Sequence, residues 1–432
     1  MIWNEKIETM SRENLKEIQS DRLKKMIKYI YENSTFYKNK LNEHGTMPAD
    51  IKSIDDIKKL MFTTKEDMRD NYPYGIFSQK DALAEIHVSS GTTGNPTLVG
   101  YTKEDIDLWS DVMARTLCCA GALPKDIIQI TYGYGLFTGG LGFHYGALEM
   151  GLTIIPCSSG MTKRQLKIME DFKPRIIACT PSYVLYMAED AKEMGIDPKK
   201  SSWGIGIFGA EPWSNAMRSQ IETTWNLLAT DVYGLSEIIG PGVAQECQYK
   251  DGLHVFSDVF YPEVINPETG EEVKEGESGE LVFTTFTKKA IPLLRYRTKD
   301  IVSITYEKCK CGRTSPRISK IKGRTDDMIV VRGINVFPSQ IEHILVGIEG
   351  TEPHYQLVVD RSEKNLDILE IHVEVEEKIF SDEIKKLTAL EEKIKNEIDS
   401  VLGVSVKVKL MEPKSIQRSM GKAVRVVDKR NI

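Results

Sequence analysis

The sequence has no apolar run of the roughly 18 to 20 residues that would cross a bilayer; its longest hydrophobic stretches are short and broken by glycine or charge. Membrane insertion is therefore not expected. The opening residues, MIWNEKIETMSREN, are charged from the fifth position and lack the apolar segment and small-residue cleavage site of an export signal, which predicts a cytoplasmic protein. A basic excess is missing too: the formal charge is -6, which argues against a nucleic-acid-binding surface. Low-complexity tracts and internal repeats are absent, and glycine and proline occur at ordinary frequency, so disordered and fibrous classes are excluded. The seven cysteines are an odd number with no export signal, so reduced thiols are expected, free for metal binding or catalysis, and not a disulfide framework.

What is present is a soluble globular composition, 41% hydrophobic and 28% charged, in 432 residues. That length exceeds what one hydrophobic core usually supports, so at least two domains are expected. Apolar residues from Leu15 to Ile30 (Leu15, Ile18, Leu23, Met26, Ile27, Ile30) recur at three-to-four spacing and predict an amphipathic helix in a helical opening over 1–60. Between about 85 and 240, β-prone runs (127–132, 152–157, 175–180, 204–209) alternate with helical stretches, the rhythm of βαβ units with parallel pairing. From about 245 to 320 closely spaced strands and turns predict a small antiparallel β unit. The last hundred residues read as a small α+β domain: alternating ILEIHVEV as a strand, then a helix capped at Ser381 with an apolar stripe at Ile384, Leu387, Ile394, Ile398 and Val401, ended by Gly403, then VSVKVKL as a strand. The fold class is α/β, with domains at 1–325 and 326–432.

SSGTTGNPT (89–97) follows the β-prone EIHV and sets four hydroxyls and two glycines in six residues. Glycines let backbone N–H groups approach an anion and hydroxyls add donors, so the loop suits phosphates. It lacks the Gly-Lys-Ser/Thr ending of a Walker A loop, and by composition it reads equally as a polar turn.

GYGLFTGG (133–140), FGAEPWS (208–214), VYGLSE (232–237), YRTKD (296–300), GRTDDMIVVRGINVFPSQIE (323–342) and GKAVRVVD (421–428) follow in order. With these seven motifs the chain resembles the adenylate-forming enzymes, and within them the phenylacetate-CoA ligase family, over nearly its whole length. The resemblance implies a large adenylate-forming domain, a small mobile C-terminal lid, and activation of an aromatic carboxylic acid by ATP with transfer to coenzyme A. It assigns Ser90, Gly91, Thr92, Thr93 and Gly94 to the ATP phosphates, and Gly209, Ala210 and Glu211 to the adenine wall. Asp231, Tyr233 and Gly234 belong to the same nucleotide site, Tyr233 stacking on the adenine. Ser236 meets the α-phosphate, and Glu237 holds magnesium, a hard cation suited to oxygen ligands. Asp300 holds the ribose hydroxyls, Arg324 approaches ribose and phosphate, Lys422 is the adenylation lysine, and Asp326 is the hinge. An acid pocket is implied at Tyr132, Tyr134, Gly135, Phe137, Ile238 and Pro241. A homodimer is implied as well. The loop's Gly-Asn-Pro-Thr lacks the lysine many relatives carry, so a phosphate contact is expected from elsewhere; Gln417 and Met420 replace a common proline and acid without removing a catalytic group. Two other readings stay open: a redox-cofactor acceptor in place of coenzyme A, and a silent nucleotide-binding module.

Apart from the nucleotide motifs, Cys247 and His254 are followed some fifty residues later by Cys309-Lys310-Cys311-Gly312. Three thiols and one imidazole match a closed Cys3His zinc site, expected to staple the antiparallel unit. The alternative is two loop cysteines beside an unrelated histidine. Cys118, Cys119, Cys157 and Cys179 lie in apolar contexts and read as core.

Overall fold

The computed structural model describes residues 1–88, 96–325, 329–331, 334–361, 367–380, 384–418 and 424–430. Ser11 caps the first long helix, Arg12–Asn33, by accepting from Asn14 N–H at 3.3 Å. Its buried side is Leu15, Leu23, Met26, Ile27 and Ile30, as the spacing predicts, but Gln19 is buried in place of Ile18. The reason is polar: the Gln19 amide donates to the Ser257 carbonyl at 2.9 Å, fastening the helix to the body of the protein.

A hairpin comes next, β1 (Glu85–Val88) with β2 (Leu98–Tyr101). The main sheet then collects β3 (Ile127–Ile130), β4 (Thr153–Pro156), β5 (Ile176–Cys179), β6 (Ile205–Gly209), β7 (Leu228–Leu235), β8 (Gly240–Glu246) and β9 (Leu253–Val255). A second sheet is built from β10 (Phe260–Ile265), β11 (Gly279–Thr285), β12 (Tyr296–Val302) and, after β13 (Ile304–Thr305) and β14 (Arg317–Ile318), β15 (Gly323–Arg324). The main sheet has nine strands in the order β13-β14-β9-β8-β7-β6-β5-β3-β4; the second has four, β10-β11-β12-β15. From β4 to β7 the main sheet is parallel, and beyond β7 every pairing is antiparallel.

Parallel strands are covered on both faces, and alternation along them shows it. Ile176, Ala178, Ile205 and Ile207 pack into one hydrophobic cluster, while Ile177, Cys179 and Phe208 pack into another. The βαβ reading of 85–240 therefore holds. The span 245–320 differs from expectation: it is not one antiparallel unit. Within it, β10, β11 and β12 form their own sheet with β15, whereas β9, β13 and β14 extend the edge of the main sheet. The apolar-rich stretch DIVSITY (300–306) is cut after Val302, and its two pieces pair in different sheets.

Residues from β16 (Ile329–Val331) onward have a hydrophobic core of their own, which runs to Val408. After β17 (Ile334–Val336), the strands β18 (Thr351–Arg361), β19 (Asp367–Val375), β20 (Lys407–Met411) and β21 (Val426–Asp428) make a sheet in the order β20-β19-β18-β21. Helix Ile384–Leu402 covers it with Leu390, Ile394 and Ile398 and ends at Gly403, φ +67°. Val401 is 61% exposed, so it does not belong to the buried stripe: near the helix end that position has turned past the sheet. The cap residues Ser381 to Glu383 lie outside the described residues.

Candidate active site

Two close backbone approaches shape the central corner. At Gly209, the end of β6, a Cβ would stand 2.2 Å from the Val232 carbonyl oxygen; at Gly234 it would stand 2.0 Å from that of Gly240. Only glycine permits either approach, and the second lets β7 fold back tightly into β8 around the turn 236–239. Ala210 takes φ +69°, uncommon for a residue with a Cβ, and the chain there brings Glu211 Oε1 to the Ser182 N–H at 2.8 Å.

The turn carries Ser236 and Glu237. Ser236 Oγ lies 3.1 Å from Thr138 Oγ1. Glu237 is 6% exposed, with Lys65 Nζ 3.6 Å from its carboxylate, while Lys288 Nζ donates to its main-chain carbonyl at 3.0 Å. Lys288 is fully buried, its ammonium 5.1 Å from the centre of the Tyr101 ring, and burial pulls its pKa down to about 8. On the neighbouring sheet Asp300 and Arg324 are directly paired across β12 and β15. Asp300 accepts from the Tyr233 hydroxyl at 2.5 Å on one oxygen and from Arg324 Nη1 at 3.2 Å on the other. Tyr233 also lays its ring near Phe283, centroids 6.2 Å apart. Asp231, one alternation back on β7, is buried, which raises its carboxyl to about 6.

Sequence motifs far apart, VYGLSE, YRTKD and GRT, thus meet in one place. Ser90, Gly91, Thr92, Thr93, Gly94, Asp326 and Lys422 lie outside the described residues. What is described is the base of the phosphate-loop hairpin, and it is braced. His87, 1% exposed, places Nδ1 3.1 Å from the Leu136 carbonyl and Nε2 2.5 Å from Glu85 Oε1, and the Tyr145 hydroxyl donates to the other Glu85 oxygen at 2.5 Å.

The residues expected to line an acid pocket fall at different depths. Tyr132 is buried, stacked on Phe143 at 5.2 Å, its hydroxyl donating to the Cys179 carbonyl at 2.6 Å. Ile238 is fully buried. Tyr134 is half-buried with its hydroxyl 3.4 Å from His144 Nδ1, and Gly135 at φ +113° turns the chain outward to Phe137, 55% exposed. Pro241 accepts from the Trp109 indole at 2.9 Å.

Lys65, Lys288 and the His87–Glu85–Tyr145 brace were not marked by any motif. Lys65 begins a short helix, Lys65–Asp70, behind a Thr64–Asp67 capping box, an ordinary local pattern. It reaches the site because Thr63 joins the edge of β12, its N–H donating to Arg295 O and its carbonyl accepting from Arg297 N–H.

At the opposite end of β8, Cys247, His254, Cys309 and Cys311 bring their donor atoms within 4.8 Å of one another. Cys247 Sγ and Cys309 Sγ are 3.7 Å apart, and Cys311 Sγ is 3.4 Å from His254 Nε2. A tetrahedral zinc with bonds of about 2.3 Å to sulfur and about 2.0 Å to nitrogen separates its donors by roughly 3.5 to 3.8 Å, so these residues fit the ion. His254 Nδ1 lies 3.2 Å from Ser315 Oγ, the kind of outer contact that orients a ligating imidazole. The cluster lies between β9 and the β13–β14 loop at the edge of the main sheet, not in the four-stranded sheet, so an ion held there would staple that edge. Cys118, Cys119 and Cys179 are buried as expected, and Cys157 is half-buried.

Comparison with known proteins gives the same picture from another direction. Residues 6–286 match the AMP-binding enzyme family and residues 333–430 the AMP-binding enzyme C-terminal domain. The chain is 46% identical over 445 residues to a phenylacetate-coenzyme A ligase of Thermus thermophilus, covering all of both, and 46% identical over 438 residues to that of Escherichia coli, covering 100% of this chain and 99% of the other. A crystal structure of 2-hydroxyisobutyryl-CoA ligase in the postadenylation state, with 2-HIB-AMP, matches at TM-score 0.93 and 27% identity over 98% of this chain and 92% of that one. The same ligase with 2-HIB-AMP and CoA in the thioesterification state matches at 0.73 and 28%, over 99% and 92%.

Proposed function

Since this chain belongs to the AMP-binding enzyme family, we infer that it joins phenylacetate to coenzyme A in an ATP-dependent, AMP-forming reaction. The observation that supports this most is the meeting of Ser236, Glu237, Tyr233, Asp300 and Arg324 at one corner of the sheets. In the first step the acid's carboxylate attacks the α-phosphorus of ATP, the bond to the bridging oxygen breaks, and pyrophosphate leaves with the electron pair. In the second the thiol sulfur attacks the acyl carbon, its proton is lost, and AMP departs.

Each group has a part in this reading. Asp300 accepts from the ribose hydroxyls, and Arg324 beside it approaches the α-phosphate. Gly209, Ala210, Glu211, Asp231 and Gly234 shape the adenine and phosphate surfaces, with Ser90 to Gly94 around the phosphates. Ser236 donates to the α-phosphate. Glu237, a buried carboxylate, would hold a magnesium ion, which would supply positive charge where negative charge develops on the departing pyrophosphate. Lys65, 3.6 Å from that carboxylate, provides the phosphate contact that the lysine-free loop omits. Lys422 bridges α-phosphate and carboxylate, and Asp326 is the pivot between the units, whose arrangement is closer to that of 2-hydroxyisobutyryl-CoA ligase in its postadenylation state (TM-score 0.93) than in its thioesterification state (0.73). Tyr134, Gly135, Phe137 and Pro241 border the aromatic acid, with Tyr132 and Ile238 packed behind them.

Incubation with ATP, phenylacetate and coenzyme A is expected to release AMP and pyrophosphate and to form the thioester. Release of ADP overturns the mechanism, and turnover without coenzyme A would favour another acceptor. The Cys3His cluster holds a structural zinc in the same reading, supported by its donor spacing; less than about half an equivalent in protein purified without added metal counts against it. The protein is read as a cytoplasmic homodimer, and sedimentation as a monomer would remove that last part.

A further inference from the structure

One carboxylate on the large unit meets a guanidinium and an imidazole of the small one. Helix Pro181–Glu193 begins at the adenine wall, where the Ser182 N–H donates to Glu211, and about two turns later presents Glu189. Glu189 Oε1 accepts from His354 Nε2 at 2.8 Å, and Arg418 Nη2 lies 3.3 and 3.4 Å from its two oxygens. These side chains are sheltered: His354 is 9% exposed, Arg418 15% and Glu189 27%.

Arg418 is in turn clamped within the small unit. Its Nη1 and Nη2 donate to the two oxygens of Glu374 at 2.7 and 2.8 Å, and Glu374 also accepts from the Lys414 and Ile416 N–H groups at 3.0 and 2.7 Å. Glu374 is fully buried, so Arg418 is a fixed handle on the segment it belongs to. That segment leads, four residues on, to Lys422. On the far side of Lys422, Arg425 stacks on Tyr355 at 4.3 Å and approaches Glu342 at 3.7 Å, and Glu342 accepts from Ser214 N–H of the large unit at 2.9 Å.

We propose that Glu189 is a positioning residue for adenylation: by gripping Arg418 and His354 it holds the segment that carries Lys422 against the large unit, and it lets go when the small unit turns for the thioester step. The inference rests on the two-step reading above. The contact suits a unit that moves: a single guanidinium nitrogen shared between the two oxygens of a partly exposed carboxylate can break and re-form in water, whereas a buried apolar seam resists separation. Glu193, one turn further along, pairs with Lys414, but both are largely exposed, so that contact adds little.

The test uses the full-length protein and separates the half-reactions. In Glu189→Gln, phenylacetate-dependent ATP–pyrophosphate exchange is expected to fall about tenfold, while conversion of pre-made phenylacetyl-adenylate and coenzyme A to thioester stays level or rises. Glu193→Gln is expected to change neither by more than about twofold. Equal losses in both half-reactions would assign Glu189 a purely structural role and overturn the proposal, as would unchanged exchange. Small-angle scattering gives an activity-free reading: Glu189→Gln is expected to broaden the distance distribution relative to wild type. Absence of exchange in wild-type protein would refute the two-step reading instead, and the scattering comparison would then decide the latch by itself.

Discussion

Strand β8 has a chemical site at each of its ends, and the two are built on opposite principles. At its start, the turn with Ser236 and Glu237 gathers hard oxygen and nitrogen groups: a carboxylate, hydroxyls, and the ammonium groups of Lys65 and Lys288. Their charges are close but not saturated by one another, since Lys65 stands at 3.6 Å and not at hydrogen-bond distance. At its end, Cys247 joins a closed set of soft donors whose number and spacing match one ion. The first site keeps capacity for a substrate that arrives charged and leaves changed. The second is a closed set of four donors with no open position for a substrate, and so belongs to stability.

If that contrast is right, damage at the two ends should separate activity from stability. Glu237→Gln is expected to lower kcat/KM for ATP roughly a hundredfold to a thousandfold, with the melting temperature near that of wild type; a melting change without the kinetic loss would erase the distinction. Cys309→Ser, or stripping zinc with a chelator, is expected to cost about 3 kcal/mol or more, lowering Tm by roughly 6 to 12 °C, with turnover per folded molecule preserved.

Lys288 sharpens the comparison because it belongs to both categories. Burial lowers its pKa to about 8, so the folded state disfavours its cation relative to the unfolded chain, where the value is 10.5. Between pH 8 and about 10.5 the unfolded chain binds the extra proton, and stability from this group therefore rises with pH in that window. In denaturant titrations, the stability of wild type minus that of Lys288→Met should climb from pH 8 to 10; a flat difference sinks the assignment. The smallest effect is expected at Lys65→Ala: a rise in KM for ATP of about three- to tenfold, from losing one half-exposed charge contact, with no change in Tm.

How much of this could be read from the chain depends on whether a feature is local. The βαβ rhythm was legible because β5 and β6 are buried on both faces and appear as short apolar runs between helices. The gathering of Cys247, His254, Cys309 and Cys311 was legible because only a few residue types can ligate a metal. The partition of 245–320 was not: Val302 and Ile304 are two residues apart, yet one side of Ser303 pairs with β11 and the other with β14. Nothing in alternation distinguishes them. Nor could sequence separate Lys288 from Lys289, adjacent lysines of which one is fully buried against Tyr101 and the other lies over Tyr29. Lys65 owes its place to the pairing of Thr63 with Arg295 and Arg297, more than two hundred residues away in the chain.

That kind of reach is most pronounced at the first turn. Glu8, nearly buried, takes the Arg313 guanidinium at 2.6 Å, and its carbonyl accepts from the Thr314 N–H, closing a loop of 305 residues. On the ribosome, therefore, the beginning of the chain must wait for residues 313 and 314 to emerge before its own ion pair can form. By then nearly all of the large unit has been made, and the residues still to be added carry a separate core from Ile329 onward. The order of synthesis thus lets the large unit seal itself before the C-terminal core exists, so that the two cores need never compete for each other's apolar surface.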